Sequence, residues 1–197
     1  MIFTSWVAYL SFAFIVFLII PTARLAPVAR WGILLAALLI GAVPLPGGMP
    51  LAGYVRAVTD DLAITTLALL GAATLQRLGW LGSPRSWHQL QTYLLFVIAG
   101  VVLYPAALGM SMFDPYRWGY TPMILIGVTG AIALAMVCLE NRRLAVVLSL
   151  ATVAFALQLK ASPNYWDYIV DPLLVLFAVV ATARWMALRL TGRHATA

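Results

Sequence analysis

The chain has 197 residues, 64% of them hydrophobic and 9% charged, with a mean hydropathy of +1.00. Soluble domains carry roughly a quarter charged residues, so this composition excludes an ordinary water-facing surface and points to lipid as the surrounding medium. The net charge of +6 comes from single arginines at the ends of apolar runs, which excludes the groove-sized basic patch of a nucleic-acid binder.

The first apolar run, MIFTSWVAYLSFAFIVFLII, has no Lys or Arg ahead of it. A secretory signal peptide needs a positive n-region, so the run reads as a retained first span with the N-terminus outside. Further apolar runs follow at residues 28–43, 62–75, 92–110, 122–139, 144–159 and 172–188. The second is stopped by Pro44, Pro46, Gly47 and Gly48. The second and third are short for a bilayer core of about 30 Å, which leaves a re-entrant pair as the alternative for them. The expectation is an all-α, polytopic transmembrane bundle of about seven spans, forming one integral membrane domain over residues 1–197.

Charge gives an independent count. Arg24, Arg30, Arg77, Arg85, Arg142, Arg143, Arg184, Arg189 and Arg193 lie in alternate loops and the C-terminal tail, with Glu140 the only acid there. The other loops hold Arg56, Arg117 and Lys160 against Asp60, Asp61, Asp114, Asp167 and Asp171. The positive-inside rule then places the arginine-rich side and the C-terminus in the cytoplasm. Eleven Arg to one Lys resembles the bias of high-GC bacterial genomes, so a bacterial inner membrane is expected. Tyr54, Tyr116, Trp118, Tyr120, Tyr165, Trp166 and Tyr168 mark the outer interface, and Trp31, Trp80, Trp87 and Trp185 the inner one, as aromatic belts do.

Local chemistry sets helix starts. Asp171-Pro172 is an N-cap followed by proline at the first helical position, and Thr121-Pro122 reads the same way. Thr59, Asp60 and Asp61 offer a cap for the run at 62–75. Arg56 and Asp60 have ion-pair spacing, i,i+4, and Asp114 and Arg117 lie three apart in FDPYRWGY. If the outer loops converge, Arg56, Asp60, Asp61, Asp114, Tyr116, Arg117, Trp118, Lys160, Asn164, Trp166 and Asp167 line one pocket. Its cations suit phosphate, its aromatic faces suit sugar or acyl carbon, and its carboxylates suit hydroxyls or an amine. Gly127, Ala131 and Ala135 form a small-residue stripe suited to close helix packing, in the bundle or against a partner or second copy. Tyr104-Pro105 should kink its helix.

Catalytic signatures are sparse. HExxH and GxSxG are absent from the sequence, and Cys138 is the only cysteine, read as packing. His88 and His194 have no second ligand at metal spacing, so no metal or cofactor is expected. Asp60 and Asp61 are adjacent, hence about 100° apart on a helix, and cannot face each other as an acid/base dyad. No acid or histidine sits mid-span, which argues against proton coupling. The expected function is a non-catalytic envelope protein binding a lipid headgroup or partner protein through periplasmic loops. A small transporter or flippase component is the alternative. A lipid-linked group transferase, with Asp60 or Asp61 as base and Arg56, Arg117 or Lys160 on phosphate, is a further one.

Overall fold

Long apolar stretches broken by Pro, Gly and short polar turns satisfy their backbone as helices, and in the computed structural model, which describes residues 6–110 and 113–191, the regular structure is helical apart from one bridge between Pro44 and Pro50. The chain forms two compact units, Met1–Ser83 and Pro84–Ala197.

Unit 1 contains α1 (Trp6–Ile19), α2 (Pro27–Gly41), α3 (Leu51–Thr59) and α4 (Ile64–Arg77). Helix α1 packs against the other three, around Ala13, Phe17, Leu34, Ala37 and Leu78. A side chain at Gly41 would come within 2.7 Å of the Phe12 ring, so glycine is what lets α2 approach α1. Two arginines staple one end of the unit. Arg77 Nη1 donates to the carbonyls of Leu18 at 2.6 Å and Ile20 at 2.9 Å, acceptors left without helical partners where α1 stops. Arg30 donates to Arg77 O, Ala23 O and Leu25 O, at 2.9, 2.9 and 3.0 Å.

Unit 2 contains α5 (Ser86–Ala107), a 3-10 helix (Pro115–Gly119), α6 (Met123–Cys138), α7 (Arg142–Ala156), the single turn α8 (Trp166–Ile169) and α9 (Pro172–Leu190). Its strongest packing is in two antiparallel pairs, α5 with α9 and α6 with α7. The α5–α9 register is fixed by Trp185 Nε1 donating to Ser86 Oγ at 2.9 Å, by the edge-on Tyr93–Phe177 rings at 5.8 Å, and by Gly100, where any side chain would strike Val175. At one end of the unit Asn141 caps α7 by accepting from Leu144 N, while its Nδ2 donates to His88 O and Gln91 Oε1 of α5, both at 3.0 Å. The exposed Arg85–Glu140 pair at that end, at 3.1 Å, contributes little.

Four helices close with the same C-terminal hydrogen-bond pattern. The left-handed residues are Gly79, Gly109, Glu140 and Gln158, and the closing bonds run from Trp80, Met110, Asn141 and Leu159 back to Leu75, Pro105, Met136 and Ala154. Glu140 at φ 61° and Gln158 at φ 50° occupy a position that favours glycine.

The all-α expectation holds, but the seven-span bundle does not. Two of the nine described α-helices are long and apolar enough to cross a membrane, over Ser86–Ala106 and Pro172–Leu190. The apolar helices Trp6–Ile19, Pro27–Gly41 and Met123–Cys138 have 14, 15 and 16 residues, or about 21–24 Å at 1.5 Å per residue, short of a core of about 30 Å. The left-handed residues Gly79, Glu140 and Gln158 lie close to where the apolar runs themselves end. With the seven-span count goes the sidedness built on it, the N-terminus outside and the C-terminus in the cytoplasm; residues 1–5, 111–112 and 192–197, including Arg193 and His194, lie outside the described part. Pro105, the expected site of a kink, sits in the last turn of α5, so little helix follows it.

Candidate functional site

The polar stretch 160–171 of unit 2, expected as an open interfacial loop, is folded inward. Asn164, Tyr165 and Tyr168 are 0% exposed, and Lys160, Trp166 and Asp171 are also buried. The local sequence explains the turn. Asn164 Oδ1 accepts from Trp166 N at 2.9 Å, starting α8, and Asp171 Oδ1 accepts from Leu174 N at 2.8 Å, capping α9 as its sequence indicated. Tyr168 closes the turn on itself, its hydroxyl donating to Lys160 O at 2.9 Å and accepting from Lys160 N at 3.1 Å. Lys160 Nζ donates to Asp167 O at 2.7 Å and lies 5.7 Å from the Tyr168 ring centre.

This segment clasps the 3-10 helix. Asn164 Nδ2 donates to Tyr116 O, Trp166 Nε1 to Pro115 O and Tyr165 N to Gly119 O, at 3.1, 2.9 and 3.0 Å. Gly119 is obligatory, since any Cβ there would overlap the Asn164 amide. Tyr116 OH reaches both Asp167 oxygens at 3.1 and 3.2 Å, and Ser162 Oγ also bonds the Asp167 carboxylate. Burial first, then the negative Asp167, push the Tyr116 phenol above its ordinary range, so it remains a protonated donor. On the other side Tyr165 OH meets Thr152 Oγ1 at 2.7 Å. Thr152 already gives its proton to Leu148 O, so Tyr165 is the donor. The Phe155 ring lies edge-on to Tyr165 and Tyr168 at 5.0 and 5.2 Å. Tyr165 and Tyr168 are therefore core residues rather than interfacial belt.

Of the candidate pocket residues, Tyr116, Lys160, Asn164, Trp166 and Asp167 meet in this clasp. What remains open on it is a ledge. Trp118 and Tyr120 are 46% and 55% exposed, Phe113 is also exposed, and the Phe113 and Trp118 rings meet edge-on at 5.2 Å. Asp114 and Arg117 stand exposed on the same turn without pairing to each other. Asp114 instead caps the 3-10 helix, Oδ1 accepting from Tyr116 N at 3.0 Å, a duty the sequence reading missed although Asp-Pro at a turn signals it.

In unit 1, Arg56 pairs with Asp61 at 2.8 Å rather than with the expected Asp60. Asp60 does not start α4; it ends α3, at φ 58° and ψ −173°, a region essentially reserved for glycine. That turn swings Asp60 away and brings Asp61 to the guanidinium. Ala63 stands at the start of α4 and Pro122 at the start of α6, neither giving a side-chain cap, so the Thr59–Asp61 and Thr121 caps are also corrected. Gly127, Ala131, Ala135 and Cys138 are all exposed on α6, and a Cβ on Gly127 would meet nothing within 4 Å. Cys138 is thus not packing. Among the described residues no three His, Cys, Asp or Glu side chains gather as metal ligands.

The clasp's groups hold one another: each buried polar atom described above has a partner within it, and Ser162 Oγ, which donates to the Asp167 carboxylate, also accepts from Asn164 N. The ledge carries unneutralised charge of both signs beside aromatic faces. No protein-family model, curated protein or solved structure matches the chain.

Proposed function

We propose that this is a non-catalytic integral protein of a bacterial inner membrane, embedded through α5 and α9, whose periplasmic 3-10 ledge holds a lipid headgroup. The membrane part is supported by the surfaces of those helices. Only 22% and 17% of their apolar windows are buried, and Ile98, Val101, Leu176, Phe177 and Val180 are all well exposed. In water such area would be unfavourable by about 25 cal/mol per Å²; in lipid it is matched.

The observation that carries the headgroup reading is the ledge itself. Arg117 and Asp114, three residues apart and unpaired with each other, fit the phosphate and ammonium of a zwitterionic headgroup, while Phe113, Trp118 and Tyr120 fit the glycerol and upper acyl carbons. The clasp pre-positions them, which lowers the ordering cost of binding. Native mass spectrometry of the gently solubilised protein tests this. Bound lipid should fall sharply in Arg117→Ala and Trp118→Ala, and its retention in both would overturn the reading. The uncovered Gly127, Ala131 and Ala135 face fits a partner helix or a second copy; the same spectra should then show the oligomer lost on Gly127→Leu.

A further inference from the structure

One end of unit 1, where α1 and α4 stop and α2 starts, carries three arginines and no carboxylate. Arg77 is held by three carbonyls of the α1 terminus through Nη1 alone, which leaves Nε and Nη2 without a protein acceptor among the described residues. Arg30 is fixed by three further carbonyls, and Arg24 is exposed. Carbonyls orient these guanidiniums but do not cancel their charge. The unit's only acids, Asp60 and Asp61, precede α4 whereas Arg77 ends it, about 20 Å away along the helix, beyond a screening length of about 8–10 Å.

Two further observations belong to the same place. The hydroxyls of Thr74, one turn before Arg77, and of Thr22, two residues past Ile20, are each 1% exposed and have no hydrogen-bond partner. Beside the arginines, Trp31 and Trp80 meet edge-on at 5.7 Å, with Trp80 71% and neighbouring Val28 83% exposed. Oriented cationic donors suit a phosphate. Bare indole and valine next to them suit a phosphate that brings hydrocarbon with it.

We propose that this end of unit 1 is a docking surface for anionic phospholipid. Arg24, Arg30 and the free edge of Arg77 grip the phosphodiester, and Trp31 and Trp80 lie against the glycerol and first acyl carbons. The proposal rests on the membrane placement above, but uses a different unit and a different selectivity: this surface prefers net negative lipid, whereas the ledge suits a zwitterion.

The test is native mass spectrometry of the full-length protein in mild detergent, titrated with phosphatidylglycerol or phosphatidylcholine. Phosphatidylglycerol should bind more tightly, and Arg24→Gln, which removes no hydrogen bond of the fold, should weaken it about fivefold. Trp80→Ala should weaken both lipids, and Arg30→Lys should keep the charge but lose the fork and part of the preference. Circular dichroism confirms folding of each variant. Equal binding of the two lipids, or an unchanged preference in both Arg24→Gln and Trp80→Ala, overturns the proposal. Displacement of the lipid by millimolar inorganic phosphate overturns its lipid source. A preference lost in Arg117→Ala but kept in Arg24→Gln moves the anionic site to the ledge and overturns it as well. If the protein stays in solution without detergent and binds neither lipid, it is the membrane placement that has failed.

Discussion

Residues 42–63 of unit 1 and 158–171 of unit 2 share a pattern in sequence: each is a proline-containing interruption between apolar runs that carries two aspartates and one basic residue. They fold to opposite ends of the range. The first holds one Arg56–Asp61 pair with side chains 30% and 14% exposed beside a backbone turn that strains Asp60. The second is buried and hydrogen-bonded to the 3-10 helix. Aromatic content separates them. Tyr165, Trp166 and Tyr168 bring enough apolar area to cover the backbone, and their O–H and N–H groups bond what they cover; the unit 1 segment has only Tyr54.

Substitutions graded by expected effect would sharpen that contrast or break it. Gly119→Ala should cost about 3 kcal/mol or more, because Asn164 cannot yield without losing its bonds to Tyr116 and Trp166. If thermal unfolding shows Gly119→Ala to be no worse than Asp61→Asn, the clasp is not the anchored region. Tyr168→Phe should cost about 2 kcal/mol by removing the hydroxyl that bonds both Lys160 N and Lys160 O, read in the same melts. Asp171→Ala removes the α9 cap, for about 1 kcal/mol. Asp60→Gly should stabilise by about 1 kcal/mol through relief of the strained turn; a destabilisation there would show the strain to be absent. Asp61→Asn should cost about 0.5 kcal/mol, as partly exposed pairs do.

The two segments should also part with pH. The Tyr116 phenol is raised in the folded state by burial and by Asp167, so above the unfolded value of about 10 the unfolded chain loses a proton that the folded chain keeps. Clasp stability is therefore full below that value and declines as pH rises past it. Unfolding measured between about pH 9 and 11 should show this decline, flattened in Tyr116→Phe; an equal slope in wild type and variant would refute it.

What could be read from the sequence was local. Asp171-Pro172 announces a cap because donor and acceptor lie three residues apart. Arg56 was visible as half of an ion pair, but its partner was not, because a positive φ at Asp60 carries no compositional mark when the residue is not glycine. Glu140 and Gln158 hide helix ends for the same reason. The clasp escaped notice because Asn164 and Trp166 bond to backbone carbonyls of Tyr116 and Pro115, distant in the chain and indifferent to side-chain type. Aromatics that read as an interfacial belt became core.

The clasp also has a consequence for the order in which the molecule is made. It joins the two mouths of the α6–α7 hairpin, and every residue it needs has left the ribosome once Asp171 emerges. Chains are synthesised N-terminus first, so every clasp residue precedes the body of α9, and a released fragment ending at residue 171 should already protect Tyr165 and Tyr168 from solvent.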